Sequence, residues 1–61
     1  MYKYHGYEIY KERRGIYYYY VVYTRQDDGS LVQNYMEQIG IFGEGNMRHV
    51  KMMIDGHFGR L

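Results

Sequence analysis

Alternation of apolar and polar side chains comes first in this chain, and a helical period comes last. Tyr7, Ile9, Lys11 and Arg13 share one parity, and Tyr2, Tyr4, Glu8 and Tyr10 share the other. Period-two alternation predicts a strand, most regular over residues 7–12. Gly6 interrupts its start, and a glycine inside a strand pattern points to a bulge or a close backbone approach. Arg13-Arg14-Gly15 reads as a hairpin turn, with Gly15 free to take a positive φ. The next strand, over 16–25, is the centre of the pattern. Ile16 to Tyr23 is an unbroken run of β-branched and aromatic residues, five of them tyrosine. Ile16, Tyr18, Tyr20, Val22 and Thr24 face one way; Tyr17, Tyr19, Val21, Tyr23 and Arg25 face the other. A strand covered on one side only alternates with polar residues. This one is apolar or amphipathic on both.

Asp27-Asp28-Gly29-Ser30 is the clearest turn signal, because Asp-Gly between apolar runs favours a tight hairpin. A third strand is expected over 31–37, with a helix as the competing reading. Gly40, Gly43 and Gly45 mark a loop. Asn46 is placed as a helix N-cap. Met47, Val50, Met53, Ile54 and His57 then recur at spacings of three and four, the apolar stripe of a helix over 47–55 ended by Gly56. Met52 falls off that stripe. The expected fold is α+β: a three-stranded antiparallel sheet in β-β-β-α order, with one C-terminal helix on one face of a single small domain. Which parity of the central strand meets the helix stays open.

Size changes the picture more than charge does. A chain of 61 residues buries only about 60% of its unfolded surface, so small domains draw on extra supports. There is no cysteine, which removes disulfides. Ten tyrosines, two phenylalanines and five methionines supply bulk instead, each ring able to bury about 150–250 Å². No apolar run reaches the roughly 20 residues of a membrane helix, and no signal-peptide progression opens the chain. Cytoplasmic location is therefore expected, with no membrane contact.

The net charge is +1, but residues 1–25 carry +3, residues 26–46 carry −4 and residues 47–61 carry +2. The basic first hairpin and the acidic middle are expected to pair, within the fold or between copies. His5, His49 and His57 have no metal-ligand spacing, so no metal or cofactor is expected. The one serine, Ser30, belongs to a turn, the adjacent Asp27 and Asp28 suit no acid–base pair, and the glycines at 40, 43 and 45 lack the Lys-Ser/Thr of a phosphate loop. No catalytic residue is assigned.

Candidate binding residues are Tyr17, Tyr19, Tyr23 and Arg25 on one parity, with Tyr10, Arg13 and Arg14 on the neighbouring hairpin. Tyrosine gives large contact area at small entropy cost and is enriched at interface hot spots. The expected function is non-enzymatic protein–protein contact through this face, with a homodimer also expected. The alternative is a nucleic-acid module, because aromatic platforms with cations such as Lys11, Arg13, Arg14 and Arg25 stack bases and contact phosphates. A second alternative is a structural subunit of an assembly.

Tyr4-x-Gly6-Tyr7-Glu8-Ile9-Tyr10-Lys11, the aromatic second strand and the closing helix with Ile54-Asp55 resemble a loose class of small phage and prophage proteins. Members have a short hairpin sheet and one terminal helix. They usually start that helix with Ser or Thr and have a more regular stripe; here Asn46 stands at the start, after a longer Gly-rich loop. The resemblance implies a mobile-element origin and a host or defence-system protein as partner, as in inhibitors of CRISPR effectors. The β-β-β-α order is also similar to the small DNA-binding domains of phage integrases, a likeness of fold order alone.

Overall fold

Three tight turns set the architecture. The computed structural model describes residues 1–40 and 47–56. Its elements are β1 Tyr2–Tyr4, β2 Tyr7–Arg14, β3 Tyr17–Arg25, β4 Leu31–Gly40 and α1 Met47–Gly56. The strands form one antiparallel sheet in the order β1-β2-β3-β4. The protein is therefore α+β, but the sheet has four strands where three were expected.

The extra strand comes from the first turn. His5 and Gly6 take φ of 49° and 84°, two successive left-handed residues of the kind that close a two-residue hairpin. Tyr4 then pairs with Tyr7 and Tyr2 with Ile9. Gly6 is thus a reversal of the chain, where a bulge or close approach within one strand was expected. At the second turn Arg14 pairs with Tyr17, leaving Gly15 and Ile16 as the loop, with Gly15 at φ 68°. Ile16 is consequently an exposed tip residue and β3 starts one position later than expected. The third turn follows its sequence signal. The Gly29 N–H donates to the Gln26 carbonyl at 2.9 Å and the Gln26 N–H to the Ser30 carbonyl at 2.8 Å. The Asp28 carboxylate accepts from the Ser30 N–H and hydroxyl, which holds it below its usual range. Beyond the turn the chain continues as strand through Gly40, past the expected end at residue 37, and the helical alternative is set aside.

The helix settles the parity of β3. Ile9 and Val22, directly opposed across β2 and β3, pack with Val50 and Ile54 of α1, surrounded by Tyr4, Tyr7, Tyr20, Tyr35 and Met47. Val50 and Ile54 are four apart, so they stand on one helix face. Met52 lies off that face and is exposed, as its spacing requires. Asn46 and His57, assigned to the helix cap and stripe, lie outside the described residues.

Polar side chains fix the margins of this packing. Glu37 accepts from the Tyr35 hydroxyl at 2.7 Å and lies 2.8 Å from His49 Nδ1. Burial and then that carboxylate push the Tyr35 hydroxyl up to about 12. The Tyr4 hydroxyl donates to Asp55 at 2.6 Å. Lys51 Nζ lies 4.6 Å from the Tyr2 ring centre and 5.4 Å from that of Tyr4, a cation–π arrangement. Tyr2 and Tyr4 therefore face the helix, because the His5–Gly6 turn resets the parity that the sequence shared with Glu8 and Tyr10.

Replacing Ile54 by Ala is expected to cost about 2–5 kcal/mol in urea denaturation. Met52→Ala should stay within about 0.5 kcal/mol. Equal losses would contradict this orientation of the helix.

Candidate binding face

With Val22 turned to the helix, the odd residues of β3 form the other side of the sheet, the far face. Its rows follow from the register. Glu8 lies beside Tyr23 and Gln33, Tyr10 beside Val21 and Met36, and Glu12 beside Tyr19 and Gln38, while Arg14 pairs with Tyr17. Lys3 adjoins Glu8, and Arg25 adjoins Leu31. Six of the seven assigned binding residues, Tyr10, Arg14, Tyr17, Tyr19, Tyr23 and Arg25, share this face. Arg13 does not. It pairs with Tyr18 on the helix side, along with Lys11 beside Tyr20, because the alternation that carries Arg14 to one face carries its neighbour to the other. The side chain of Arg13 turns back to donate to the Gly15 carbonyl at 3.0 Å.

Two carboxylates, absent from the assigned set, organise the face. Glu8 is only 6% exposed, so its charge must be met by partners. Arg25 supplies a two-pronged contact, Nε to Oε2 at 2.8 Å and Nη2 to Oε1 at 2.9 Å. Such paired donors match carboxylate geometry and are among the stronger hydrogen bonds. The Tyr10 hydroxyl donates to Glu8 at 2.9 Å, and Arg25 Nη1 donates to the Gly29 carbonyl at 2.8 Å. Glu12 is the second centre. The Tyr23 hydroxyl donates to it, and Arg14 Nη2 donates to it at 3.1 Å and to the Gln33 side-chain oxygen at 3.2 Å. The Tyr10 and Tyr23 rings meet edge to face at 5.4 Å, linking the clusters.

Protonation follows from these contacts. Hydrogen bonds from Arg25 and then Tyr10 hold the Glu8 carboxyl at about 2, below its ordinary 4.5. The Tyr10 and Tyr23 hydroxyls are raised because each donates to a carboxylate. The Arg14 and Arg25 guanidinium groups are raised by Glu12 and Glu8 respectively. The outcome is a face of aromatic rings and guanidinium groups in fixed positions. Tyr17 is exposed at its end, Tyr19 and Tyr23 are half-buried, and Met36 and Leu31 add exposed apolar surface along β4.

The segregated charge of the sequence is used differently from the expected pairing. Both arginine–carboxylate pairs on this face lie within residues 1–25, and in the middle segment Glu37 engages Tyr35 and His49. A clue to Glu8 and Glu12 was present: acid, tyrosine, acid and arginine alternate at positions 8, 10, 12 and 14, one face of a strand.

His5 and His49 both lie at the helix margin. His49 adjoins Glu37, and His5 Nε2 lies 3.8 Å from Asp55 and edge-on to Tyr4. No cluster of three metal-binding side chains and no pocket occurs among the described residues. No helix among them is long and apolar enough to cross a membrane.

A carboxyl whose pKa falls on folding stabilises the fold above its unfolded value and loses that contribution as pH drops through the folded value. For Glu8 the window runs from 4.5 down to about 2. The melting temperature should therefore fall more steeply across that window in the native protein than in Glu8→Gln, which should already be less stable at pH 7. Parallel melting curves would show that this carboxylate carries none of the dependence.

Comparison with known proteins gives no family assignment: no protein-family model matches the chain, and no curated protein or solved structure matches it significantly.

Proposed function

We propose that this protein acts by stoichiometric contact with another protein through the far face of its sheet. The observation that carries the reading is the Glu8- and Glu12-centred network. It holds Arg14, Arg25, Tyr10 and Tyr23 in place before any partner arrives. Side chains ordered in advance lose less entropy on binding, and Tyr and Arg are the residues most enriched at interface hot spots. Both carboxylates of the face are engaged with arginine and tyrosine, so the reading is one of binding rather than catalysis. Resemblance to small phage proteins supports its most specific form, an inhibitor or modulator of a host or defence-system protein in the host cytoplasm.

The nucleic-acid alternative loses ground on geometry. Of the four cations it calls on, Arg14 and Arg25 are engaged by carboxylates, and Lys11 and Arg13 stand on the opposite side of the sheet.

The test is capture from bacterial lysate on immobilised protein, followed by reconstitution with the purified partner. Tyr17→Ala and Tyr19→Ala should each weaken that complex at least tenfold by calorimetry while leaving the fold intact. Arg48→Ala, on the exposed side of α1, should change it less than twofold. Undiminished binding by both tyrosine variants would overturn the reading. Tight low-salt binding to oligonucleotides that weakens steeply with added salt would favour the alternative.

A further inference from the structure

One long edge of the sheet has no strand beside it among the described residues. That edge is β4, a strand of ten residues. An open edge presents unpaired backbone N–H and C=O groups, which native proteins shield with Lys, Pro or inward-pointing charge. Every other strand carries basic residues: Lys3 in β1, Lys11, Arg13 and Arg14 in β2, and Arg25 in β3. β4 has no Lys, Arg or Pro, and its one charge, Glu37, is turned to Tyr35 and His49. Leu31, Val32 and Met36 of this strand are 37%, 42% and 37% exposed. Irregularities in the β3–β4 register fall opposite Tyr18/Tyr19 and Val22/Tyr23, leaving residues 35–38 as a regular stretch between them.

We propose that two copies of this chain pair antiparallel along the outer edge of β4, around a two-fold axis perpendicular to the sheet that runs midway between the two Met36 residues. Charge selects the occupant. The edge offers no cation to an acidic peptide, and its one carboxylate, Glu37, is already engaged by Tyr35 and His49 and so is little available to a basic one, whereas in a pair of copies neither Glu37 lies directly opposite the other. With the axis at Met36, Met36 lies beside its own counterpart, and Glu37 lies beside Tyr35 of the second copy. Pairing β4 with β1 of another copy would be head-to-tail, giving a ring or an open array and never a two-fold dimer. The β4–β4 pairing closes as a dimer with a continuous eight-stranded sheet, four strands from each copy. It is independent of the partner reading, since the far face stays free.

The symmetry gives a sharp test by sedimentation over a concentration series. The native protein should pass from monomer to a species of twice the mass. Met36→Lys and Met36→Glu each place like charges directly opposite each other and should remain monomeric over the same range. Their equimolar mixture should regain the dimer through a Lys–Glu pair. A native protein that stays monomeric, single variants that dimerise as well as the native chain, or a mixture that stays monomeric would each overturn the proposal. Amide hydrogen exchange on the native protein gives a check free of variants. Outer-edge amides of β4 should exchange more slowly in concentrated than in dilute samples, and identical exchange would likewise overturn it.

Discussion

Val21 and Val22 are adjacent in β3 and both fully buried. Neighbouring residues of a strand point to opposite faces, so the middle of this sheet has to be dry on both sides. A domain of this size has one helix among its described residues to supply. Val50 and Ile54 of α1 answer Val22, with tyrosines around them. Val21 is flanked instead by Tyr10 and Met36 in register and by Tyr19 and Tyr23 along its own strand. Large amphipathic side chains on the far face take the place that a second helix would occupy in a bigger protein.

That solution brings carboxylates down among the rings, and their charge then governs the rest of the face. Glu8 would be costly to bury alone; Arg25 and Tyr10 make it tolerable by filling its hydrogen-bonding sites. The same contacts remove the freedom of Arg25, which carries several rotatable bonds. On the proposed reading, packing and recognition are thereby coupled. The groups that stabilise the far face are those a partner would meet, so a substitution such as Tyr23→Ala disturbs both at once. Tyr17 and Tyr19 are the cleaner probes because no side-chain hydrogen bond ties either to the network.

Where local chemistry decided the structure, the sequence was readable. Asp28-Gly29 gave the third turn, the alternation of residues 7–12 gave β2, and the spacing of Val50 and Ile54 gave the buried side of α1. It failed where tertiary context decided. The His5–Gly6 reversal needs a histidine in a left-handed conformation, which His adopts more readily than most residues but only in a minority of cases, and without it Tyr2 and Tyr4 are placed on the wrong face. Arg13 was grouped with Arg14 because they are adjacent, although adjacency in a strand separates side chains. The parity of β3 was beyond local reading because both of its faces are apolar; only the helix distinguishes them. Glu8 was overlooked because its partner Arg25 lies seventeen positions away and meets it only when β2 and β3 pair.

The edge and the face bear on each other. A two-fold axis perpendicular to the sheet turns both far faces the same way, so β4 pairing would join them into one surface of twice the width, with both helices behind it. Met36 would stand at the seam, beside Tyr10 and Val21 in register. Such a surface suits a partner that is itself two-fold, or one with two equivalent sites, because each half then gains from the tethering of the other. A partner that engages one copy through the face alone needs no such symmetry. The stoichiometry of such a complex would therefore carry information about the edge as well as the face: with a partner that is monomeric on its own, two-to-two binding would require both, whereas one-to-one binding would use only the tyrosine surface.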